Sequence, residues 1–385
     1  MEEQSKKCRL CKNQLKERNP ILQFHNMPSI AQNFPTKDQL GQDCGIDFSI
    51  YQCPYCGLIQ ILEKPVSYYK DVIRAVAVSQ EMAEFRKVQF EKFLRENQLI
   101  GKRIIEIGAG AGEYMTLMEA AGAVVYGIEH RNTSVSAGKE KGLTLYQGYI
   151  SSKEYAIGDS PFDGFYCMNY LEHVPELNEF LQGINYNLTE GGIGLIEVPN
   201  TDRIIQDAMF SEFMLDHLSY FTQETLKRVV EQNGFKVKSC EVVWNEYMIS
   251  MVVEKRRKID GTGFQKGEQT LIKEVNAFIE DMNVKGKKVA VWGAGHEALS
   301  ILAIAQLRGR IDGVIDSADF KQNKYTPATH IPIYSPDRIK EQKIEAILVI
   351  AGSFTNEVCR IIKGINEEII CAIIEDNKIK LRSRE

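Results

Sequence analysis

Apolar and polar positions along this 385-residue chain change period several times, and each change predicts an element. The run Arg103-Ile-Ile-Glu-Ile107 has strand character and passes through Gly108-Ala-Gly-Ala-Gly112 into a helical pattern over 114–121. A second apolar run, 124–128, ends in Glu129, and a helical pattern over 134–141 leads to a third strand at 144–147. Phe162–Met168 reads as a strand that turns into a helix carrying Glu172 and His173. Pro175 then fits the opening turn of a helix containing Leu177, Phe180 and Leu181. Residues 188–200 read as a turn and a fifth strand, and Thr222 with Thr225 marks another helix start. This alternation predicts an α/β fold with a doubly wound parallel sheet.

Upstream, residues 66–100 are helical in pattern, with Tyr68, Tyr69, Ile73 and Val76 followed by Met82, Phe85, Phe90 and Phe93. Most of these pack in a core; Tyr68, Tyr69 and Arg74 are placed to reach a pocket. Downstream, a polar connection over 259–285 carries an amphipathic helix (Leu271, Val275, Phe278, Ile279, Met282). A second α/β unit then opens with a strand ending at Trp292 and Gly293-Ala-Gly295. Its next strand, 311–315, ends in Asp316. The expected domains are 1–65, 66–258 and 259–385.

Composition narrows the setting. A formal net charge of −5 argues against nucleic acid or a membrane surface as partner. No apolar run is long enough to cross a bilayer and the N-terminus is polar, so a cytoplasmic location is expected. Nine cysteines in such a chain point away from a disulfide framework. Cys8-Arg-Leu-Cys11 and Cys53-Pro-Tyr-Cys56 form two Cys-x-x-Cys knuckles, which together complete a tetrahedral, closed and therefore structural Zn²⁺ shell. Gly57 frees the chain to turn so that backbone N–H groups reach the thiolates. Cys44 is a bystander.

The strand, glycine turn and helix start at 103–114 bring backbone close to an anionic ligand. Two readings compete: a dinucleotide fold and an S-adenosylmethionine (SAM) methyltransferase fold. The short Glu106-x-Gly108-x-Gly110-x-Gly112 form resembles motif I of class I methyltransferases. The cofactor-binding candidates are then Glu106, Gly108, Ala109, Gly110 and Gly112. They are joined by Glu129 for the ribose hydroxyls, Tyr149 and Ile150 for adenine, and Asn169 at a strand's carboxyl end. The catalytic candidates are His173, Asp216, His217 and Tyr220, since two imidazoles near one cleft suit acid–base chemistry near neutral pH. His217 oriented by Asp216 is the first choice as base, with His173 or Tyr220 polarising a carbonyl. Gly293-Ala-Gly295 with Asp316 would also fit NAD, which makes a dehydrogenase the first rival. Trp292, His296 and Glu297 could instead line a substrate cleft.

The order of these motifs resembles the sugar C-methyltransferases over nearly the whole chain. It runs from the two cysteine pairs through motif I, Leu171-Glu-His173, Asp216-His-Leu-Ser-Tyr220-Phe221 and Gly293-Ala-Gly295. The resemblance implies a zinc-binding N-terminal domain, a central SAM domain and a C-terminal Rossmann-like domain that helps enclose a nucleotide sugar. It implies C-methylation of a nucleotide-linked keto-deoxysugar through an enolate, with no metal at the reaction centre. O-methylation of a sugar or other small molecule is the alternative chemistry. The chain departs from the family pattern at Met214, where a tyrosine is usual, and at Asp216, where the acid is longer. It departs again at 72–79, where a Tyr- and Ser-rich stretch is usual, and at Trp292, where tyrosine is common.

Overall fold

The computed structural model describes residues 7–15, 20–31, 34–71 and 78–382. It divides into two units, Met1–Lys258 and Ile259–Glu385.

The first unit opens with three antiparallel strands, β1 (Leu22–Met27), β2 (Ile46–Gln52) and β3 (Ile59–Ile61). Helix α1 begins only at Gln80 and runs to Glu96; Ser79 caps it by accepting a hydrogen bond from the Met82 N–H at 3.1 Å. The helix expected from residue 66 is thus shorter. Tyr68 and Tyr69 lie in turns, while Ile73, Arg74 and Val76 lie outside the described residues.

Strand β4 (Arg103–Ile107), α2 (Glu113–Ala120), β5 (Val124–Glu129), α3 (Asn132–Glu140), β6 (Thr144–Gln147) and β7 (Phe162–Met168) follow. Glu172 and His173 sit in one 3₁₀ turn rather than a helix, and α4 (Leu177–Tyr186) starts just after Pro175. Then come β8 (Leu188–Pro199), α5 (Thr201–Gln206), β9 (Ser219–Tyr220), α6 (Gln223–Gln232), β10 (Phe235–Val243) and β11 (Met248–Lys255). Thr222 and Thr225 close a reciprocal cap on α6, as their spacing predicts.

The main sheet has the order β10-β11-β8-β7-β4-β5-β6, with β8 through β6 parallel and the β10–β11 hairpin antiparallel at one edge. The chain winds outward from β4 to β6 and returns beside β4 at β7. The strand order therefore reverses between β4 and β7, and ligands collect beyond the carboxyl ends there. One core joins the cysteine knuckles to this sheet: Cys8, Leu10, Cys53 and Leu58 pack with Phe180, Leu226 and Val229. The small sheet takes its fourth strand from β9, pairing Ile59 with Tyr220 and Gln60 with Ser219.

The second unit contains α7 (Thr262–Val284), β12 (Val289–Trp292), α8 (His296–Ile304), β13 (Gly313–Ile315), β14 (Ile333–Tyr334), α9 (Arg338–Gln342), β15 (Ala346–Val349), α10 (Thr355–Ile365), β16 (Ile370–Glu375) and β17 (Lys378–Leu381). Its sheet order is β14-β13-β12-β15-β16-β17, parallel except at β17. Among the described residues no helix is long and apolar enough to cross a membrane.

Candidate active site

The four knuckle cysteines converge. Their sulfurs all lie within 4.8 Å of one another, with Cys8–Cys56 and Cys11–Cys53 in contact at 3.5 Å. A tetrahedral zinc–thiolate shell has edges of about 3.8 Å, so the donor set fits such an ion in both chemistry and spacing. Gly57 adopts φ +81°, which lets the Leu58 N–H reach the Cys56 sulfur. The neighbouring Cys56 sulfur holds the Cys8 thiol below its usual range; burial opposes this and the Gln60 amide, donating to Cys8, supports it. The Gln60 amide stands 3.3 Å from the Cys8 sulfur, and its oxygen accepts the Arg9 N–H at 2.8 Å.

At the carboxyl ends of the strands, β4 and β5 shape a cleft lined by Gly108, Ile128, Glu129, Gly148, Tyr149 and Ile150. Glu129, at the tip of β5, is buried and accepts the Gly110 N–H at 3.0 Å and the Arg131 N–H at 2.8 Å. The glycine turn is thereby locked onto the acid. Ala109 is buried beneath the turn. Gly112 has φ +82°, and a Cβ there would meet Leu143 at 2.1 Å, so this glycine serves helix packing. The Glu106 carboxylate is buried and accepts from the Tyr166 hydroxyl at 3.1 Å, which places it inside the sheet and outside the cleft lining. Tyr149 packs edge-on to Tyr69 and against Phe180, and Lys70 lies 5.2 Å over its ring. Asp71 meets His130, just beyond Glu129, at 2.8 Å. The segment 68–71 thus borders the cleft.

Beyond β7, Asn169 is exposed at φ +50°, a strained backbone that leaves its amide at the sheet's carboxyl edge. The rings of His173 and His217 meet edge-on at 4.8 Å. Each is half-buried, and burial holds both imidazoles below their usual range. His173 is partly restored by its bond from Nδ1 to the Asp216 backbone oxygen, at 2.8 Å, while the neighbouring His173 lowers His217 further. Glu172 brings a carboxylate oxygen within 4.8 Å of both imidazoles.

Two expected pairings fail. The Asp216 carboxylate does not orient His217: it accepts from the Tyr68 hydroxyl at 3.2 Å and the Ala31 N–H at 3.3 Å. The tight turn at 214–217 directs that side chain away from the neighbouring ring. Tyr220 is not free to polarise a carbonyl, because its hydroxyl donates to the Met214 oxygen at 2.9 Å and accepts the Met214 N–H at 3.0 Å. It clamps the turn that carries His217.

The same geometry has matches among known proteins. Residues 78–239 match the family model for a methyltransferase domain, and residues 253–375 match the C-methyltransferase C-terminal domain. The C-methyltransferase NovU of Streptomyces niveus is 21% identical over 372 residues, covering 88% of each chain. The chain belongs to the C-methyltransferase family. It is a SAM-dependent methyltransferase. A ubiquinone biosynthesis O-methyltransferase of Aeromonas salmonicida is 28% identical over 161 residues, 38% of this chain and 67% of that protein. Among solved structures, a SAM-dependent methyltransferase from Clostridium acetobutylicum aligns with a TM-score of 0.37 at 12% identity, over 47% of this chain and 93% of that one.

In this methyltransferase the dehydrogenase reading of the second unit falls away, since that unit matches the C-methyltransferase C-terminal domain. Its glycine motif also has another reason to exist. A Cβ on Gly293 would stand 2.1 Å from the Ile350 carbonyl oxygen, so the close strand crossing demands glycine. Burial opposes ionisation of Asp316. The Ala318 and Ala294 N–H groups and Lys321 outweigh it and hold the carboxyl below its usual range. Trp292 is buried in the core, whereas His296 and Glu297 are exposed.

Sequence reasoning placed Tyr68 near a pocket without its partner, gave Glu172 no role, and missed a buried pair between Arg86 on α1 and Glu197 on β8, which Gln89 also joins at 2.9 Å. Only the polar character of Arg86 on the apolar face of α1 signals that pair in the sequence.

Proposed function

We propose that the enzyme methylates the carbon next to the carbonyl of a nucleotide-linked keto-deoxysugar, through an enol or enolate. The observation that carries this reading is the His173–His217 pair, held half-buried beyond the carboxyl end of β7. C-methylation requires breaking a C–H bond first, and that needs a base that is unprotonated near neutral pH. Burial keeps both imidazoles in that state.

The two rings divide the work by their hydrogen bonds. A carbonyl oxygen only accepts, so His173 must carry its proton on Nδ1, which leaves Nε2 as an acceptor. His173 therefore takes the α-proton. The His217 ring has no hydrogen-bond partner among the described residues, and a neutral imidazole keeps one N–H to donate to the developing enolate oxygen. This reverses the roles expected from the sequence, because the Asp216 side chain serves Tyr68.

SAM, when bound, supplies an electrophilic methyl group. Gly108, Ala109 and Gly110 would face it with backbone, the Glu129 carboxylate would receive the ribose hydroxyls, and Tyr149 and Ile150 would flank the adenine. Asn169 would meet it at the sheet edge. The Glu129 carboxylate fits this role because it lines the cleft at the tip of β5, fixed in place by the Gly110 and Arg131 N–H groups. Cys8, Cys11, Cys53 and Cys56 would hold a structural zinc ion. The second unit would enclose the nucleotide sugar.

Product analysis with ¹³C-methyl-labelled SAM tests the reading. A methyl signal on carbon supports it; a methyl signal on oxygen assigns the same imidazoles to O-methylation instead.

A further inference from the structure

Glu172 has no place in the chemistry so far, yet it is the most unusual carboxyl group in the unit. It is 2% exposed, and among the described residues its Oε2 has no hydrogen-bond partner. A buried carboxyl oxygen without a partner is costly and calls for a reason. Its position is fixed by a backbone bond, the Leu218 N–H donating to the Glu172 oxygen at 2.8 Å, which ties the 3₁₀ turn to the loop carrying His217. An oxygen of its carboxyl group, a nitrogen of His173 and a nitrogen of His217 all lie within 4.8 Å of one another.

We propose that Glu172 is a proton store that works through His217. The inference rests on the division of labour between His173 and His217 given above. As the α-proton passes to His173 Nε2, the C–H electron pair moves into the enol. The carbonyl oxygen takes the proton from the His217 N–H, and the other nitrogen of His217, closing to hydrogen-bond distance from within 4.8 Å, takes the proton of the Glu172 carboxyl. Carboxylate and imidazolium then face each other, and the cluster remains neutral. On methyl transfer the enol proton returns by the same route, and the proton on His173 leaves to solvent.

The groups facing the Glu172 carboxyl suit a neutral resting state. Burial raises it to about 8 against a hydrogen bond from its own backbone N–H, Glu197 on β8 adds to the rise, and Cys167 on β7 and Tyr247 are the other titratable neighbours beside the two imidazoles. Glu172 is a positioning residue in this scheme, since it reaches the substrate only through His217.

The test needs no sugar. In the full-length, metal-loaded protein with S-adenosylhomocysteine bound, imidazole ¹⁵N shifts are followed from pH 6 to about 10. The expected result is a second transition at His217 as Glu172 ionises, absent in Glu172→Gln. A His217 that is insensitive over this range in the wild type overturns the proposal, and so does a second equivalent of metal bound at these three side chains. If the sugar reading fails but the transition is present, the relay survives as a feature of the acceptor site. With a turning-over substrate, α-proton exchange should lose its decline above pH 8 in Glu172→Gln, at a rate lowered at least tenfold; a purely structural role would leave the profile's shape unchanged.

A separate observation concerns the second unit. The Cys371 thiol donates to the Cys359 sulfur at 3.4 Å, joining β16 to α10. Both line an open groove with Asn356, Arg360 and Arg382, and neither belongs to the metal cluster. We infer that this pair is a thiol–disulfide exchange site for low-molecular-weight disulfides. One protein thiolate attacks a sulfur of the disulfide and expels a thiolate. The other protein thiolate then attacks the mixed disulfide and expels the second. The two protein thiols are oxidised, one disulfide is reduced to two thiols, and the protons pass to the leaving groups. Oxidised glutathione is the probe, on zinc-loaded full-length protein, read by peptide mass mapping. Cross-linked 359–371 peptide should form at least tenfold faster than the adduct at exposed Cys44. Cys371→Ser should instead trap the mixed disulfide on Cys359. A rate no greater than that of Cys44, or a cross-link confined to the knuckle cysteines, overturns the inference.

Discussion

His173 donates from Nδ1 to the backbone oxygen of Asp216 across 2.8 Å, so the aspartate orients an imidazole through its main chain and not through its acid. Asp216→Asn should therefore leave the proton-transfer step nearly intact. His173→Asn should lower α-proton exchange by about 10²–10⁴-fold, the range for removing a general base. SAM affinity, measured by calorimetry, should stay within a factor of about two, because the ring lies outside the Glu129 cleft. Equal losses in the Asp216 and His173 variants would restore a side-chain dyad.

Glu129 joins the glycine turn to the cofactor. Its two oxygens accept the Gly110 and Arg131 N–H groups, and its ionised form would also take the ribose hydroxyls. Hydrogen bonds to a charged group contribute about 1.5–3 kcal/mol each. Glu129→Ala should weaken SAM binding by at least ~100-fold while circular dichroism stays native-like. An unchanged dissociation constant would place the donor elsewhere.

The buried Glu172 should also mark the stability curve. Its carboxyl is raised from 4.5 to about 8, so between those values the folded protein binds more protons than the unfolded chain. Stability from this group must then fall as pH rises through that window. The penalty is fully present above pH 8, on the order of a few kcal/mol. Glu172→Gln should raise the melting temperature at pH 9 relative to the wild type, with little difference at pH 4. A gain that does not depend on pH would remove the buried-acid explanation.

Arg86 and Glu197 are both fully buried and paired. Removing one partner strands the other's charge, which typically costs about 3–5 kcal/mol. Arg86→Ala should be strongly destabilising in urea titration, and a paired Arg86→Met, Glu197→Leu double variant should recover much of the loss.

These pairs show where sequence reading stops. The cysteine knuckles, the glycine turn with Glu129 and the Thr222–Thr225 cap are fixed by short spacings, because ligand geometry and helix ends act over a few residues. Tyr68 meets Asp216 across 148 positions, and Arg86 meets Glu197 across 111, so the winding of the sheet alone brings them together. Glu172 was visible beside His173, but its burial depends on how the 3₁₀ turn packs beneath the loop before β9. The β10–β11 hairpin was readable in part: Phe235, Val237 and the apolar run 248–253 have strand character, yet neither strand figured in the expected parallel alternation.

The knuckles and the acceptor loop are linked through one amide. Gln60 donates to the Cys8 sulfur, accepts from Arg9, and pairs through its backbone with Ser219 on β9, two residues past His217. Loss of the metal would release Cys8 and Cys56, buried thiols whose sulfurs lie 3.5 Å apart. The disturbance should pass through Gln60 to the strand that seats His217. Cys8→Ser, or removal of metal by a strong chelator, should lower zinc content by elemental analysis and reduce the melting temperature by several degrees. Turnover should fall much further than SAM affinity, because Glu129 is anchored by the Gly110 and Arg131 N–H groups and Gln60 leads to the strand beside His217. Gln60→Leu should keep the metal and still lower turnover. A metal-free protein with native turnover would show that the cysteine cluster and the acceptor loop are uncoupled.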